Sequence, residues 1–536
     1  MKKKPGGRLL SNIKEHLINS EIYHAYYKLP IREDLVFVES RNGKDFAGNI
    51  LRLAVEINER YGGRYKICTA AVPGCMDHIR QILSCCGLGN VQICEYDSKQ
   101  HIQMLETAAY LINDTTFPFR YVKRDGQIYL NTWHGTPYKK MGNDKHEGRH
   151  LIDNIQRNLM QADYLLFPSR YCEVRMTEAH CIQDMYPGTV LEEGYPRNTV
   201  FFDPEAAARV KEAYHLEGKR VYVYMPTFRE QSSPQQDGRP GTDLSEIMRE
   251  TDDQLNEDEI LFVKLHPLAA TQIDLSSYSH IRQFPEDIEP YEFLTACTCL
   301  VTDYSSVFYD FANSGRKIVR FIYDEDDYSS SRGLYDQPVA IPYPAVSSVS
   351  DLIGELRSGI DYDDRDFLAC YCTYDNAAAT EKIVRHIFEK AGTCREHRIY
   401  TEKERVLVYS GDLAGEPLKG FLSSIQNEPE DGTDYYICFS RVALRRKSNA
   451  GNLGNLPVGL PVYGINGKLF LTLPEYLAKR SSGSGKSANR KKEQYLRREF
   501  RRSFLNTDFS KFIYLSGDNS SITEVMQCAG VEIITR

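Results

Sequence analysis

Residues 299–322 read CLVTDYSSVFYDFANSGRKIVRFI and predict a strand, a helix and a second strand in close succession. The apolar run 299–302 has the length and composition of a buried strand, and so does the run 318–322. Between them a serine pair is followed by residues that predict a helix from about residue 306. Parallel strands joined by a crossover helix are the building unit of an α/β sheet. The predicted fold class is therefore α/β.

The alternation of strands and helices extends over most of the chain in two series. Strands of the first series are predicted at 35–39, 65–71, 91–96, 108–112 and 128–132. Strands of the second series are predicted at 221–225, 260–265, 299–302 and 318–322, and a helix at 377–391 closes it. Two series of similar size predict two facing Rossmann-like domains, an N-terminal one of residues 31–197 and a second one of residues 198–395.

Two further segments flank these domains. Residues 1–30 predict a short amphipathic helical lead-in with several basic residues, which packs on the first domain or contacts a membrane surface. Residues 400–536 predict a third α/β unit, with strands at 405–409, 435–440, 461–465 and 512–515. We expect this unit to be an accessory domain.

Composition restricts the class of protein. The chain has 536 residues, of which 41% are hydrophobic and 26% charged, which is typical of folded globular proteins. A net charge of -8 argues against a nucleic-acid partner. The basic start lacks the apolar stretch of a secretory signal, and no run approaches the roughly 18 apolar residues of a membrane-spanning helix. We expect a cytoplasmic protein, peripheral at the inner face of the cell membrane.

The first half of a predicted active site lies in residues 131–142, NTWHGTPYKKMG, directly after a predicted strand. Open α/β sheets bind ligands at the carboxyl ends of their strands. His134 can take a proton from an alcohol, and Gly135 allows a tight backbone beside it. Lys139 and Lys140 add positive charge suited to a phosphate-bearing substrate. The alternative is a histidine that only supports a turn.

The second half of the predicted active site comes from the ends of three strands of the second series. Serines at a helix N-terminus can hold a phosphate, and lysine and arginine pair with its oxygens. The predicted substrate-binding residues here are Thr227, Arg229, Lys264, Asp303, Ser305 and Ser306, with His266 beside them. Simple helix capping is the alternative for the serines. We expect Asp303 to be largely structural and Asp310 to bind a ribose or lie on the helix surface.

Five segments taken together resemble the CDP-glycerol:poly(glycerophosphate) glycerophosphotransferase family. They are WHGTP at 133–137, GYPRN at 194–198, PTFR at 226–229, KLHP at 264–267 and TDYSS at 302–306. The resemblance implies a GT-B-like fold, with the acceptor toward the first domain and a CDP-alditol toward the second. It implies a catalytic role for His134, as the base, and it places His266 both in the catalytic set and among the donor pyrophosphate contacts. Arg229, Ser305 and Ser306 are implied as donor pyrophosphate contacts, and Arg197 joins the substrate-binding set.

The implied reaction is attack of an acceptor hydroxyl on the β-phosphorus of CDP-glycerol or CDP-ribitol, with release of CMP. The acceptor would be a lipid-linked or polymeric phosphodiester of teichoic-acid or capsule type. No cofactor and no bound metal are expected, with free Mg²⁺ at most stimulatory. Two alternatives stay open, a GT-B glycosyltransferase that uses a nucleotide-sugar and a catalytically silent scaffold. The choice of alditol, and of primase or polymerase, is also open.

The third unit resembles the first half of another GT-B enzyme. Because half of such a fold cannot form a cleft, we expect residues 400–536 to be a non-catalytic assembly module. A piece of a longer bifunctional polymerase is the alternative.

Overall fold

The computed structural model describes most of the chain, with gaps. The described residues are 18–145, 149–227, 244–265, 274–323, 333–411, 413–427, 432–457, 459–480, 486–505, 507–517 and 520–535. Two predicted site residues, Arg229 and His266, lie outside them, and so does most of the predicted lead-in. In the described part, no helix is long and apolar enough to cross a membrane.

The first sheet has eight strands, in the spatial order β14-β7-β6-β5-β4-β1-β2-β3. All neighbours pair in parallel except β14, which runs antiparallel to β7. The strands are β1 (Arg32–Glu39), β2 (Lys66–Ala71), β3 (Gln92–Glu95), β4 (Ala108–Asn113), β5 (Ile128–Asn131), β6 (Tyr164–Phe167), β7 (Thr189–Glu192) and β14 (Arg395–His397).

The second sheet has six parallel strands in the order β10-β9-β8-β11-β12-β13, and the third has five in the order β17-β16-β15-β18-β19. The strands of the second are β8 (Arg220–Met225), β9 (Glu259–Val263), β10 (Ile281–Gln283), β11 (Cys299–Thr302), β12 (Lys317–Phe321) and β13 (Ala345–Val346). Those of the third are β15 (Glu404–Ser410), β16 (Thr433–Ser440), β17 (Val462–Ile465), β18 (Lys511–Ser516) and β19 (Glu532–Thr535).

Helices cover the faces of all three sheets. Residues 18–27, the described part of the predicted lead-in, are helical. The other α-helices are Gly48–Tyr61, Met76–Cys85, Lys99–Thr107, Ile152–Gln161, Arg170–Ala179, Ala206–Ala213, Leu244–Gln254, Pro290–Leu294, Val307–Phe311, Val349–Arg357, Arg365–Tyr371, Ala379–Glu389, Glu416–Asn427, Lys447–Gly454, Leu473–Arg480, Lys486–Phe504 and Ser520–Cys528. This arrangement is the predicted α/β, GT-B-like fold with an additional α/β unit.

Burial explains why these residues form these elements. In β1, Val36, Phe37 and Val38 are all fully buried, as expected for a parallel strand covered on both faces. In the helix Gly48–Tyr61, Ile50, Leu53, Ala54 and Ile57 recur at helical spacing and are buried together against this sheet.

The end of the second predicted domain crosses back to the first sheet. Ile383, Val384 and Ile387 of the helix Ala379–Glu389 belong to the hydrophobic core of the first sheet. β14 then pairs with β7 of that sheet. The two domains are therefore joined by two chain crossings, near residue 200 and near residue 375.

The third unit packs directly on the first domain and shares one hydrophobic core with it. The contact centres on the helix Ile152–Gln161. Gln156 donates from Nε2 to the carbonyl of Val462 at 2.9 Å and accepts from the amide of Gly464 at 3.1 Å. A Cβ at Gly464 would lie 2.5 Å from the Cβ of Asp153, so only glycine allows this close approach.

Candidate active site

A cleft of about 1090 Å³ lies between the carboxyl ends of the first and second sheets. From the first sheet it is lined by the segment after β5, which carries His134. From the second it is lined by the residues that follow β8, β9 and β11. Of the predicted site residues, the lining includes His134, Gly135, Lys139, Lys140, Thr227, Lys264, Ser305 and Ser306. The topology thus brings together strand ends that are far apart in sequence.

His134 is held in one tautomer. Its Nδ1 lies 2.8 Å from the main-chain carbonyl of Asp114, at the end of β4. Because a carbonyl only accepts, Nδ1 carries the proton and Nε2 is the basic nitrogen. Burial, helped by the guanidinium groups of Arg41 and Arg197, lowers the pKa of His134 to about 4. The imidazole is therefore neutral at physiological pH and able to accept a proton.

The backbone around His134 is unusual. Trp133 has a positive φ of 49°, and its amide donates to Oδ1 of Asn131 at 2.9 Å. The indole ring stacks on the imidazole with the ring centres 4.3 Å apart. Gly135 has a φ of 153°, and a Cβ there would lie 3.3 Å from Oγ of Ser306 in the second domain. The glycine lets the two halves of the site approach each other.

Arg197 lies beneath the cleft and not in it, which differs from its predicted contact with substrate. Its guanidinium is buried and donates from Nη2 to both carboxylate oxygens of Asp310, at 3.0 and 2.9 Å. Its Nη1 donates to the carbonyl of His134 at 2.9 Å. All of these bonds are made within the protein, so Arg197 positions the His134 segment against the second domain.

The expectation for Asp310 was wrong in both of its forms. Asp310 is 3% exposed, so it is neither a surface carboxylate nor accessible to a ribose. Besides the ion pair with Arg197, it accepts a hydrogen bond from the hydroxyl of Tyr291 at 3.0 Å. Its role is to anchor the buried arginine.

Asp303 is structural, as expected from the sequence. Its buried carboxylate accepts from the amide of Thr227 at 2.9 Å and from the Thr227 hydroxyl at 2.7 Å. This fixes the turn after β8, so that Pro226 and Thr227 line the cleft. Asp303 itself is not among the lining residues, so a direct contact of its carboxylate with substrate is not supported.

Five lysines line the cleft and bring positive charge to it: Lys44, Lys139, Lys140, Lys145 and Lys264. The isolated β-bridge between Lys139 and Leu334 consists of two main-chain hydrogen bonds, from the amide of Lys140 to the carbonyl of Gly333 at 3.2 Å and from the amide of Tyr335 to the carbonyl of Tyr138 at 3.0 Å. These two bonds join the His134 segment to the second domain. The ammonium group of Lys264 lies 4.6 Å from the ring centre of Phe284, and burial lowers the pKa of Lys264.

Ser305 and Ser306 lie at the start of the helix Val307–Phe311. Ser306 occupies the N-cap position, and its hydroxyl makes no capping hydrogen bond. Ser305 accepts from the amide of Val307 at 3.5 Å. The Ser306 hydroxyl is thus directed at the His134 side of the cleft, beside Gly135.

The sequence reasoning missed several residues of the first-domain wall. Arg41, Asp45 and His78 line the cleft. Asp45 lies 3.6 Å from Nε2 of His78 and raises the pKa of that imidazole. The carboxylate of Asp114 accepts from the amide of Arg41 at 2.8 Å and so fixes the loop that carries these groups. The segment RNGKD at 41–45, a turn sequence directly after a strand, was the available signal.

Among the described residues of this wall and of the wall opposite, no metal centre is evident. Within the described ranges, no group of three or more His, Cys, Asp or Glu side chains is placed to hold a metal ion. The absence of a cofactor requirement stays a prediction.

The comparisons with known proteins agree on one family. A family model described as CDP-Glycerol:Poly(glycerophosphate) glycerophosphotransferase matches residues 21–389. A teichoic acid glycerol-phosphate transferase of Staphylococcus aureus is 28% identical over 411 residues, which cover 71% of this chain and 100% of the relative. A teichoic acid poly(glycerol phosphate) polymerase of Staphylococcus epidermidis is 28% identical over 323 residues, 55% of this chain and 43% of the relative.

A solved structure of the wall teichoic acid polymerase TagF has the same fold. It superposes with a TM-score of 0.58 at 22% identity, and the match covers 73% of this chain and 98% of that chain. The family match ends at residue 389, so the third unit lies beyond it.

Proposed function

Because this chain belongs to the CDP-glycerol:poly(glycerophosphate) glycerophosphotransferase family, we propose that it transfers an alditol phosphate from a CDP-alditol to the terminal hydroxyl of a teichoic-acid-like acceptor. The proposed donor is CDP-glycerol, with CDP-ribitol as the second candidate. The acceptor is a lipid-linked primer or a growing polymer of the same phosphodiester type.

The observation that carries this proposal is the placement of His134. Its Nδ1 is occupied by the Asp114 carbonyl, so Nε2 is available as the base. Ser305, Ser306 and Lys264 lie on the opposite side of the cleft. Their hydroxyl and ammonium groups are suited to binding a diphosphate. A neutral base facing a phosphate-binding wall is what an alcohol-to-phosphorus transfer requires.

The reaction then proceeds in one displacement. The acceptor hydroxyl oxygen bonds to the β-phosphorus of the donor while its proton passes to Nε2 of His134. The bond between that phosphorus and the bridging oxygen breaks, and CMP leaves with the bonding electron pair. The products are CMP and an acceptor longer by one alditol phosphate.

Fixed positive charge assists the transfer of the phosphoryl group. Lys139, Lys140, Lys264 and Arg41 all line the cleft and stabilise negative charge that spreads over the phosphoryl oxygens. We retain the prediction that no cofactor is needed and that Mg²⁺ is at most stimulatory. CMP release measured with and without EDTA tests it, because a strict Mg²⁺ requirement would abolish turnover in EDTA.

We place the protein in the cytoplasm, peripheral at the inner face of the membrane. Two features support this placement. A lipid-linked acceptor is presented at a membrane surface, and Ile18, Leu473 and Leu477 are large apolar side chains that are at least 47% exposed. Sedimentation with vesicles of anionic and neutral lipid tests it, and no binding to either would contradict it.

The deciding experiment measures CMP release from CDP-glycerol and from CDP-ribitol, each with and without a soluble phosphodiester acceptor. Acceptor-dependent release from one donor is expected, and it identifies the alditol. Acceptor-independent hydrolysis, or transfer from a nucleotide-sugar only, would contradict the proposal.

A further inference from the structure

A basic surface lies where the third unit meets the first domain. It consists of Arg120, Arg441, Arg445 and Lys468, and this set is called the basic surface below. Arg441 directly follows β16, Arg445 lies one short turn later, and Lys468 follows β17 by three residues. Arg441, Arg445 and Lys468 are exposed, and Arg120 is half-buried. Three of the four residues therefore come from the carboxyl edge of the third sheet.

Two further arginines, Arg157 and Arg502, are buried beneath this surface. The guanidinium carbons of Arg157, Arg441 and Arg502 lie 5.2, 5.9 and 5.7 Å from the ring centre of Phe119. These three arginines come from three separate parts of the chain and converge on one aromatic ring. Such packing holds guanidinium groups in place without neutralising their charge.

Few carboxylates neutralise the positive charges of the basic surface and of the arginines beneath it. Asp153 pairs with Arg441 at 2.7 Å, and Glu499 pairs with Arg502 at 2.7 Å. In the part of the chain that the structure describes, neither Arg445 nor Lys468 forms an ion pair. Burial lowers the pKa of Lys468, and the neighbouring Arg445 and Arg120 lower it further. The fold thus keeps like charges together, which is unfavourable for the free protein and suits an anionic ligand.

Phe119, on whose ring Arg441 of the basic surface packs, lies near the catalytic cleft. Asp114, whose carbonyl holds His134, is five residues before Phe119 in the chain. Five residues span at most about 18 Å even when fully extended. The loop between them begins at the cleft, since the Thr115 hydroxyl donates to Oδ1 of Asn42 at 3.1 Å, and Asn42 adjoins the lining residue Arg41.

We propose that the basic surface binds the phosphodiester backbone of the acceptor polymer, some units back from its reacting hydroxyl. This rests on the proposed function and deepens it, because it assigns the third unit to acceptor binding. A poly(alditol phosphate) carries one negative charge per repeat, and arginine and lysine pair with phosphate oxygens. An open surface suits a flexible chain, which can move along it as the polymer grows.

A polymer fits this surface better than a lipid bilayer does. Surfaces that bind a bilayer combine basic residues with apolar side chains that insert between the lipids. Phe119, the aromatic ring of this region, is half-buried beneath the guanidinium groups and is therefore not placed to insert into a bilayer. Binding to anionic vesicles is therefore an outcome that the test must separate from binding to polymer.

The test compares two double variants of the full chain. In Arg445→Gln/Lys468→Gln the basic surface loses two exposed cations that form no ion pair with any residue the structure describes. In Arg490→Gln/Lys491→Gln, the matched control, two exposed cations are removed from the helix Lys486–Phe504 outside the surface. Each variant is titrated with purified poly(glycerol phosphate) without donor, and its CMP release is measured with long polymer and with a one-unit acceptor.

The expected result is a roughly three- to thirty-fold increase in both the Kd and the KM for long polymer in the basic-surface variant. Its kcat with the one-unit acceptor and its KM for CDP-glycerol stay unchanged, and the control variant behaves like the wild type. Equal polymer affinity in all three proteins would overturn the inference. So would loss of binding to anionic vesicles or RNA with an unchanged KM for polymer. Because the titration needs no turnover, it measures polymer binding at the basic surface even if no donor releases CMP.

Discussion

Arg197 and Asp310 form a buried ion pair with three hydrogen bonds, which joins the first domain to the second beneath His134. Arg197 comes from the segment that links the two domains, and Asp310 from the short helix after β11. Because Arg197 also donates to the carbonyl of His134, the ion pair fixes the position of the base relative to the donor-side wall. The base therefore depends on the alignment of both domains.

Removal of one partner of this ion pair should strongly lower the stability of the protein. We expect Arg197→Gln to lower the free energy of unfolding by about 3 kcal/mol or more, because Asp310 stays buried without its counter-charge. Urea denaturation followed by circular dichroism measures the loss. Arg209→Gln, which breaks an exposed pair with Asp203, is the matched control and should change stability little. Equal stability of the two variants would contradict the role of the pair.

The pH dependence of turnover should reflect the low pKa of His134. A histidine with an ordinary pKa near 6.5 would be almost fully protonated at pH 5 and would fail as a base. With a pKa of about 4, His134 stays neutral there, so kcat/KM should remain near its plateau down to about pH 5. The profile is measured between pH 4.5 and 8 with a buffer series. A fall centred near pH 6.5 would contradict the buried, neutral imidazole.

Glu106 should destabilise the protein as the pH rises. It is buried, and burial raises its pKa to about 8. An unfolded glutamate ionises near pH 4.5, so the stability contributed by the neutral form is complete below that pH and is lost as pH rises through about 8. We expect Glu106→Gln to be more stable than the wild type at pH 8 by about 1–3 kcal/mol, with no difference at pH 4.5. Urea denaturation of both proteins at the two pH values measures this difference in stability. A difference of equal size at pH 4.5 and at pH 8 would be inconsistent with the raised pKa.

Arg149 should couple the third unit to the cleft. Its buried guanidinium donates to the carbonyls of Leu453 and Leu456 in the third unit, at 3.1 and 3.0 Å. It also donates to the carbonyl of Asn143 at 3.2 Å, close to the lining residue Lys145. Arg149→Gln should cost about 1–3 kcal/mol, since buried carbonyls lose their donors.

The same substitution should lower kcat several-fold, because the wall at Met141 and Lys145 loses its support. Arg249→Gln, which removes an exposed arginine of the helix Leu244–Gln254, serves as the control. Unchanged turnover in a destabilised Arg149 variant would show that the third unit supports only the fold.

The local sequence pattern was sufficient to predict much of the fold. Cys299–Thr302 was predicted with its exact bounds, because a parallel strand buried on both faces is a continuous apolar run. The return of the helix Ala379–Glu389 to the first sheet was not predictable, since it depends on pairing between β14 and β7 across some 200 residues. The docking of the third unit on Ile152–Gln161 is non-local in the same way.

For the site, residues at strand ends could be placed, and residues on loops could not. His134, Lys264 and Ser306 follow strands whose carboxyl ends meet by topology. Whether a charged side chain points into the cleft or under it is decided by its partner. Arg197 was assigned to substrate because Asp310, 113 residues away, could not be recognised as its counter-charge. Arg41 was missed because the turn signal at 41–45 marks a loop without fixing where its side chains point, and His78 was missed because it lies on a helix that carries no motif.

The most direct test of the central claim is acceptor-dependent CMP release from CDP-glycerol by the wild type and by His134→Ala, with donor binding measured in parallel. The account predicts rapid release by the wild type and a loss of roughly 10²- to 10⁴-fold in kcat for the variant, with the Kd for CDP-glycerol nearly unchanged. Turnover by His134→Ala at the wild-type rate would contradict the assignment of the base. Silence of the wild type with both CDP-glycerol and CDP-ribitol would contradict the proposed reaction itself.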